Sequence, residues 1–392
     1  MKIPQYNRNP FKELSETGRL SGVLLILATV LSLILSNSGF GGGYLKFWQT
    51  VIGVDFLHKT LVHWINDGFM VAFFLLVALE IKRELIKGEL STRKIAILPV
   101  VAAIGGMAVP ALIFLILNFR SPETIHGWAI PVATDIAFSL GILSLLGNRV
   151  PLSLKIFLTA LAIIDDLGAI IIIAFFYSSG IHLLMLFIGL MVFGLLLLLN
   201  FSGIKNLYLY LIPGVLLWYF ILKSGVHPTI AGVLLAFAIP MEPGVNFEHN
   251  LRKPVNYFIL PVFALANMAI PLSFGDTSRL FSVMSLGIIL GLVIGKPAGI
   301  LLFSWGLVRS GFASLPDGTT WKQILGLGIL AGIGFTMSIF IGSLSFTHEI
   351  YLNIAKLSVI AASTISTIVG LIYLFRVGNV AGHVSRVTRH DL

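Results

Sequence analysis

The chain of 392 residues contains no cysteine, which excludes disulfides, thiolate metal ligation and a cysteine nucleophile. Charge is also scarce: Asp, Glu, Lys and Arg make up 11% of the residues, against about 25% in an ordinary soluble domain. No polar stretch is long enough to fold by itself. The longest are the first eighteen residues, the loop 39–59 and the tail after Phe375. A phosphate-cradling glycine loop, a metal-ligand spacing and a Ser-His-Asp arrangement are all missing, so neither a cofactor nor an enzymatic centre is expected. A cleaved leader is not expected either, because the first apolar run, Leu20 to Leu35, follows a long polar start and lacks a small-residue cleavage site.

Apolar length, by contrast, is abundant. Hydrophobic residues make up 57% of the chain and the mean hydropathy is +0.98. Twelve runs recur, centred near residues 29, 71, 108, 136, 165, 190, 214, 232, 264, 294, 334 and 363. Runs of about 20 apolar residues cross a ~30 Å hydrocarbon core as helices, and only helices or closed barrels satisfy their own backbone there. The expected fold is therefore an all-α polytopic membrane protein of about 12 transmembrane helices, forming one domain over residues 1–392.

The net charge of +9 invites a nucleic-acid reading, but its distribution argues against one. With the N-terminus inside, nineteen Lys and Arg fall in inner segments and five in outer ones; Lys296 and Lys356 lie in or near the membrane, and Lys356 is expected to snorkel to the interface. That asymmetry follows the positive-inside rule for an even number of spans with both termini cytoplasmic. It is a topology signal, and no nucleic-acid partner is implied.

Four ionisable residues fall near mid-membrane: Asp135, Asp165, Asp166 and Lys296. Each opposes insertion by about 2.5 to 3.5 kcal/mol at a helix centre, so the set costs on the order of 10 kcal/mol. Three acids against one base exceed what a packing ion pair requires. Asp165 and Asp166 are adjacent and point about 100° apart on a helix, so they cannot share one partner symmetrically. One is expected to face a base and the other a cavity. Hard cations such as sodium take oxygen ligands and bind only the deprotonated carboxylate, so proton and cation compete for such a site.

Two runs carry their own breaks. Pro131, in the stretch Ile130 to Asp135, lacks a backbone donor and should kink or unwind the fourth run. Gly332 and Gly334, just ahead of Thr336, weaken the eleventh by about 1 kcal/mol each relative to alanine. Gly287, Gly291, Gly295 and Gly299 form a small-residue packing ridge on the tenth run, with Lys296 just round the helix and Pro297 beside it. Short correspondences link the two ends of the chain. Thr134 precedes Phe138 by four residues, as Thr336 precedes Phe340; Lys155 precedes Asp165 and Asp166 by ten and eleven, as Lys356 precedes Ser366 and Thr367. Units 97–176 and 283–375 would then cross in opposite senses as an inverted repeat, with a mid-membrane site at the paired breaks. Asp135 would offset helix N-termini there and Lys296 helix C-termini.

The stretches WINDGFMVAFFLLVALEIKREL (64–85), GWAIPVATDIAFSLG (127–141), LKIFLTALAIIDDLGAIIIIAFFY (154–177), LKSGVHPTIAG (222–232), VIGKPAGI (293–300) and GILAGIGFTMSIFIGSLSF (328–346) together resemble the NhaA sodium/proton antiporters, in family order along almost the whole chain. The resemblance implies an inverted-repeat transporter fold of twelve helices in which the fourth and eleventh are broken and cross near Asp135. It implies that Asp166 binds the cation and protons, that Asp165 works beside it and pairs with Lys296, and that Asp135 and Thr134 assist. Sodium or lithium would leave the cell while more than one proton enters per cation, across a bacterial inner (plasma) membrane. A cytoplasmic cluster of Glu80, Arg83, Glu84, Glu248 and His249 would respond to pH, as would His227 in its SGVH motif. The outer loop 39–59 would pair two protomers in a homodimer.

Two other readings use the same acids. A cation channel or a proton/cation symporter could employ the aspartates without exchange. An intramembrane aspartyl protease needs its two acids on separate helices in a GxGD-type setting, which IIDDLG does not supply.

Overall fold

The computed structural model describes residues 10–53, 57–178, 180–272 and 280–387, without the side chains of residues 10–17, 19, 148 and 379–387. Lys2, Arg8, Arg279 and Arg389, which enter the charge asymmetry, lie outside the described residues, as do the side chains of Lys12, Arg19 and Arg386 and positions 54–56 of the outer loop.

Helices dominate the described residues. The chain runs through α1 (Pro10–Ser36), α2 (Gly41–Trp48), the two-residue strands β1 (Val51–Ile52) and β2 (Lys59–Thr60), α3 (Leu61–Trp64) and α4 (Met70–Lys87). It continues through α5 (Arg93–Asn118), a 3-10 helix (Ile125–Val132), α6 (Ile136–Leu145), α7 (Leu152–Phe176), α8 (Leu183–Phe201), α9 (Tyr208–Lys223), α10 (Thr229–Ala238), α11 (Met241–Pro254) and α12 (Leu260–Asn267). The last third holds α13 (Val283–Leu290), α14 (Lys296–Arg309), α15 (Trp321–Ala331), α16 (Phe335–Ser345) and α17 (Glu349–Val387). Joined across their short breaks, these make twelve rods, one for each apolar run of the sequence. Six rods are long and apolar enough on their own to cross a membrane, and eight when each of two bent pairs counts as one span. The other four are shorter or carry more charge. The chain is a multi-pass helical membrane protein.

The outer loop folds into α2 and a small hairpin in which Val51 pairs with Thr60 and Ile52 with Lys59. Three rods widen into one π-helical turn: Ile65–Phe69, Val255–Ile259 and Gly291–Gly295. Two of these precede a proline, Pro261 and Pro297, whose missing N–H leaves a gap in the regular ladder that a wider turn accommodates.

The glycine ridge packs as its spacing predicts. A Cβ on Gly299 would lie 2.1 Å from the Gly105 carbonyl oxygen, and one on Gly105 would lie 2.4 Å from the Gly299 oxygen. Gly287 faces Phe114 and Asn118, and Gly295 faces Pro110. The rod α13–α14 therefore meets α5 closely, backbone to backbone at Gly295 and Gly299, while Gly291 packs on Pro131 of the 3-10 helix, and these contacts flank Lys296. Lys356 departs from expectation: it is buried, not snorkelling. Residues 354–356, 358 and 359 are all buried, so that part of α17 offers its ammonium stem no lipid-facing path.

Candidate ion-binding site

The two broken rods cross in the middle of the molecule. In the first, the 3-10 helix ends at Val132, Ala133 to Asp135 run without helical structure, and α6 starts at Ile136. Pro131 lies in the last turn of the 3-10 helix, two residues ahead of the unwound stretch. In the second, α15 ends at Ala331, Gly332 to Gly334 break the ladder, and α16 resumes at Phe335 with a bend of 46°. Close approach requires the glycine at 332 and leaves little room at 334. A Cβ on Gly332 would lie 2.4 Å from the Leu292 carbonyl oxygen, and one on Gly334 would lie 2.1 Å from Ser338 Oγ.

A broken helix leaves orphan carbonyls at one half's end and orphan N–H groups at the other's start. Each rod satisfies those of its partner. The Asp135 amide donates to the Ile333 carbonyl at 2.7 Å, the Thr134 hydroxyl to Ala331 O at 2.9 Å, and Ser139 Oγ to Leu330 O at 3.2 Å. Asp135 closes both half-helix N-termini. Its Oδ1 accepts from the Phe138 amide of α6 at 2.9 Å, while its Oδ2 accepts from the Thr336 amide at 3.1 Å and the Thr336 hydroxyl at 2.6 Å. At the opposite pole, Lys296 Nζ donates to the carbonyl of Val132, the last residue of the 3-10 half. An acid thus stands at the half-helix N-termini and a base at a half-helix C-terminus, the placement that complements the helix dipoles.

The aspartate pair sits on α7 against this crossing. Lys296 Nζ lies 2.7 Å from Asp165 Oδ2, with both side chains fully buried, and Thr134 Oγ1, 2.6 Å from the same oxygen, shares its single proton between it and Ala331 O. Asp166, one residue on, turns elsewhere. It lines a cavity with an empty volume of about 610 Å³, part of it open to solvent, together with Asp135, Thr336, Val77, Glu80 and Arg252. Asp165 Oδ1 and Asp166 Oδ1 are buried without hydrogen-bond partners. One acid faces a base and the other a cavity, as their 100° separation demands.

The cavity leads away from Asp166 to a charged cluster. Arg252 reaches Glu80 Oε1 at 2.8 Å and Glu248 Oε1 at 2.7 Å; Arg83 reaches Glu248 Oε2 at 3.0 Å and Glu84 Oε1 at 2.8 Å. Four of the expected pH-responsive residues, Glu80, Arg83, Glu84 and Glu248, are therefore in one network. Glu248, on the polar helix α11, has its carboxyl pushed up to about 7, by burial first and by the charge of Glu80 second, against the pull of Arg83 and Arg252. His249 is exposed on the same helix.

His227 belongs to a different place. Its Nδ1 pairs with Thr229 Oγ1 at 2.7 Å and its Nε2 stands 3.6 Å from Asp67 Oδ1, thirteen residues and about 20 Å of helix from Glu80. Two contributors went unnoticed in the sequence. Arg252 joins both glutamates, and its i,i+4 spacing from Glu248 was a readable signal. Lys82 was not readable as such: it caps the C-terminal end of α10, donating to the Phe237 and Ile239 carbonyls at 2.8 and 2.5 Å.

A match to the family described as Na+/H+ antiporter 1 covers residues 12–374. The chain belongs to the Na+/H+ antiporter 1 family. Curated relatives named Na(+)/H(+) antiporter NhaA align along most of their length. The protein of Flavobacterium psychrophilum is 53% identical over 366 residues, covering 92% of this chain and 94% of that one. The Vibrio cholerae protein is 49% identical over 358 residues (89% and 93%), and that of Escherichia coli 50% over 366 (90% and 94%).

Proposed function

We propose that the protein is a secondary antiporter that exchanges sodium for protons by alternating access at Asp166. The observation that carries this is Asp166 itself: a buried carboxylate with one oxygen unpartnered, at the head of a solvent-reaching cavity. A cation entering from the cavity meets a carboxylate that must be deprotonated to bind it, so proton and sodium are exclusive occupants. Asp165 and Thr134 supply further oxygens, and Lys296 holds Asp165 in place when the cation is absent. Asp135 and Thr336 keep the two half-helices joined as the site changes the side it faces. Pro131, Gly332 and Gly334 are the points at which the rods can flex.

The finer features follow the same reading. Sodium or lithium leaves the cell and more than one proton enters, because two adjacent acids, Asp165 and Asp166, are available to carry protons. The Glu80–Arg252–Glu248–Arg83–Glu84 network at the cavity mouth sets the response to pH, with His249 beside it and His227 acting from the far side. Units 97–176 and 283–375 form an inverted repeat, supported by the paired breaks and by the Gly105–Gly299 contact between their first helices. The membrane is the bacterial inner membrane with both termini cytoplasmic, supported by the surplus of Lys and Arg on the side of the cavity mouth. The hairpin of the outer loop pairs two protomers.

Liposomes with an acidic lumen and a pH dye test the exchange. Added sodium should collapse the gradient for the wild type and leave it for Asp166→Asn. Equal responses from the two would remove Asp166 as the exchange site, and a sodium conductance that needs no proton gradient would replace exchange with a channel.

A further inference from the structure

Three helices facing the cavity carry a lining layer and then an aromatic one in the same order, and two of them add a polar third. On the rod α3–α4, Glu80 and Val77 line the cavity, Phe74 follows one turn away, and Asn66 and Asp67 stand two turns beyond. On the rod α11–α12, Asn256 and Leu260 line the cavity, then comes Phe263, then Asn267. On α16, Thr336 and Met337 line it, and Phe340 stands one turn, about 6 Å, further on.

The middle layer is a knot of aromatic rings centred on Phe340. Its ring centroid lies 5.3 Å from Phe74, 6.3 Å from Phe263 and 5.3 Å from the His227 ring, which it meets edge on. Phe74, Phe263 and Phe340 are all buried. The third layer is polar and cross-braced. Asn66 and Asn267 exchange side-chain hydrogen bonds, one of 2.9 Å. Asp67, on the π-helical turn Ile65–Phe69, takes Lys59 Nζ at 2.5 Å, stands 3.6 Å from His227 Nε2, and accepts the Trp218 indole N–H on its backbone carbonyl at 2.8 Å. On each of the three helices this aromatic layer stands about one turn beyond residues that line the cavity with Asp166, and on α4 it lies on the side away from Glu80.

We propose that Phe340 is a positioning residue that closes the route from Asp166 to the face opposite the cavity mouth, and that the Asp67 cluster locks it there. Phe340 is bound to the site through one turn of helix, since Thr336, four residues earlier, holds Asp135. When α16 tilts, ring and ligand move together, so opening toward the far face is tied to rearrangement at Asp135. The lock acts through His227, which touches both the ring of Phe340 and the carboxylate of Asp67. The inference rests on the antiport reading, because only alternating access needs a barrier that opens.

The absence of native cysteine makes the test direct, since a single introduced thiol is the only target. Val77→Cys places it on the cavity wall below the rings. In sealed vesicles of both orientations, an impermeant thiol reagent should label it readily from the cavity side and slowly from the other. Adding Phe340→Ala should raise labelling from the far side about tenfold and change the cavity-side rate less than about twofold, a shift of population toward a far-side-open form. Phe340→Leu should stay close to the parent, and Asp67→Asn should raise far-side labelling to a smaller degree. An unchanged far-side rate with Phe340→Ala would overturn the proposal, and so would an equal rise from both sides, which marks general loosening. If Phe340→Ala does not fold, Asp67→Asn decides alone, and no rise overturns it. Sodium-driven proton flux measured in the same vesicles separates the two readings: loss of flux with the labelling pattern intact removes antiport and leaves the barrier.

Discussion

Replacing Lys296 with alanine isolates the energetics of the site. Both Lys296 and Asp165 are fully buried, 2.7 Å apart, and the lysine also serves the Val132 carbonyl. Truncation leaves Asp165 with the Thr134 hydroxyl alone, because its other oxygen already has no partner. Removing one member of a buried ion pair costs about 3–5 kcal/mol, and the stranded carbonyl adds on the order of 1–3 kcal/mol. Asp165→Asn with Lys296→Met, which removes both charges and keeps the volume, should recover most of that loss, since a buried pair exchanged for neutral groups is often close to neutral. The assay is denaturant unfolding in detergent micelles, followed by tryptophan fluorescence. A loss below about 1 kcal/mol for Lys296→Ala would refute the reasoning, as would a double variant no more stable than the single one.

Other expectations follow from single contacts. Asp135→Ala removes the acceptors for two half-helix N-termini and should depress sodium-driven exchange well below Asp135→Asn, which keeps one acceptor oxygen for either Phe138 or Thr336; initial rates in proteoliposomes compare them. Gly299→Ala drives a methyl to 2.1 Å from the Gly105 oxygen, backbone against backbone, and should cost about 1–3 kcal/mol or more, whereas Gly194→Ala, with nothing within 4 Å, should be neutral or slightly stabilising in thermal melts. Glu248, pushed up to about 7, binds its proton more tightly in the folded protein than in the unfolded chain. Its contribution therefore lowers stability as pH rises from about 4.5 to 7. Melting temperatures of Glu248→Gln across that range should fall less steeply than those of the wild type. A parallel pair of curves would remove Glu248 from the pH response.

Much of the site was readable before any coordinates. Charges are so costly in a membrane that Asp135, Asp165, Asp166 and Lys296 stood out by depth alone, and the break at Pro131 follows from a missing donor. The 100° between adjacent helical residues was enough to assign one acid to a base and the other to a cavity. What escaped was set by tertiary packing. Lys356 looked like a snorkelling residue because its stem is long, yet it lies on the buried face of its helix with Ile354, Ala355, Ser358 and Val359. Lys82 resembled an ordinary inner-face lysine, and only the fold shows α10 ending beside it. His227 and Glu248 read alike as titratable residues, while the fold sets them at opposite ends of one rod. The π-helical turns and the layering round Phe340 leave no periodicity that a sequence window detects.

Competition between sodium and protons at Asp166 is the core of the mechanism, and equilibrium binding reads it without transport. Sodium affinity of the purified protein, measured by calorimetry across pH in buffers of different ionisation heat, should weaken about tenfold per pH unit on the acid side for each proton displaced. Proton release should accompany binding, and Asp166→Asn should abolish both. An affinity independent of pH, or sodium binding that survives Asp166→Asn with its proton release intact, would contradict exchange at this carboxylate.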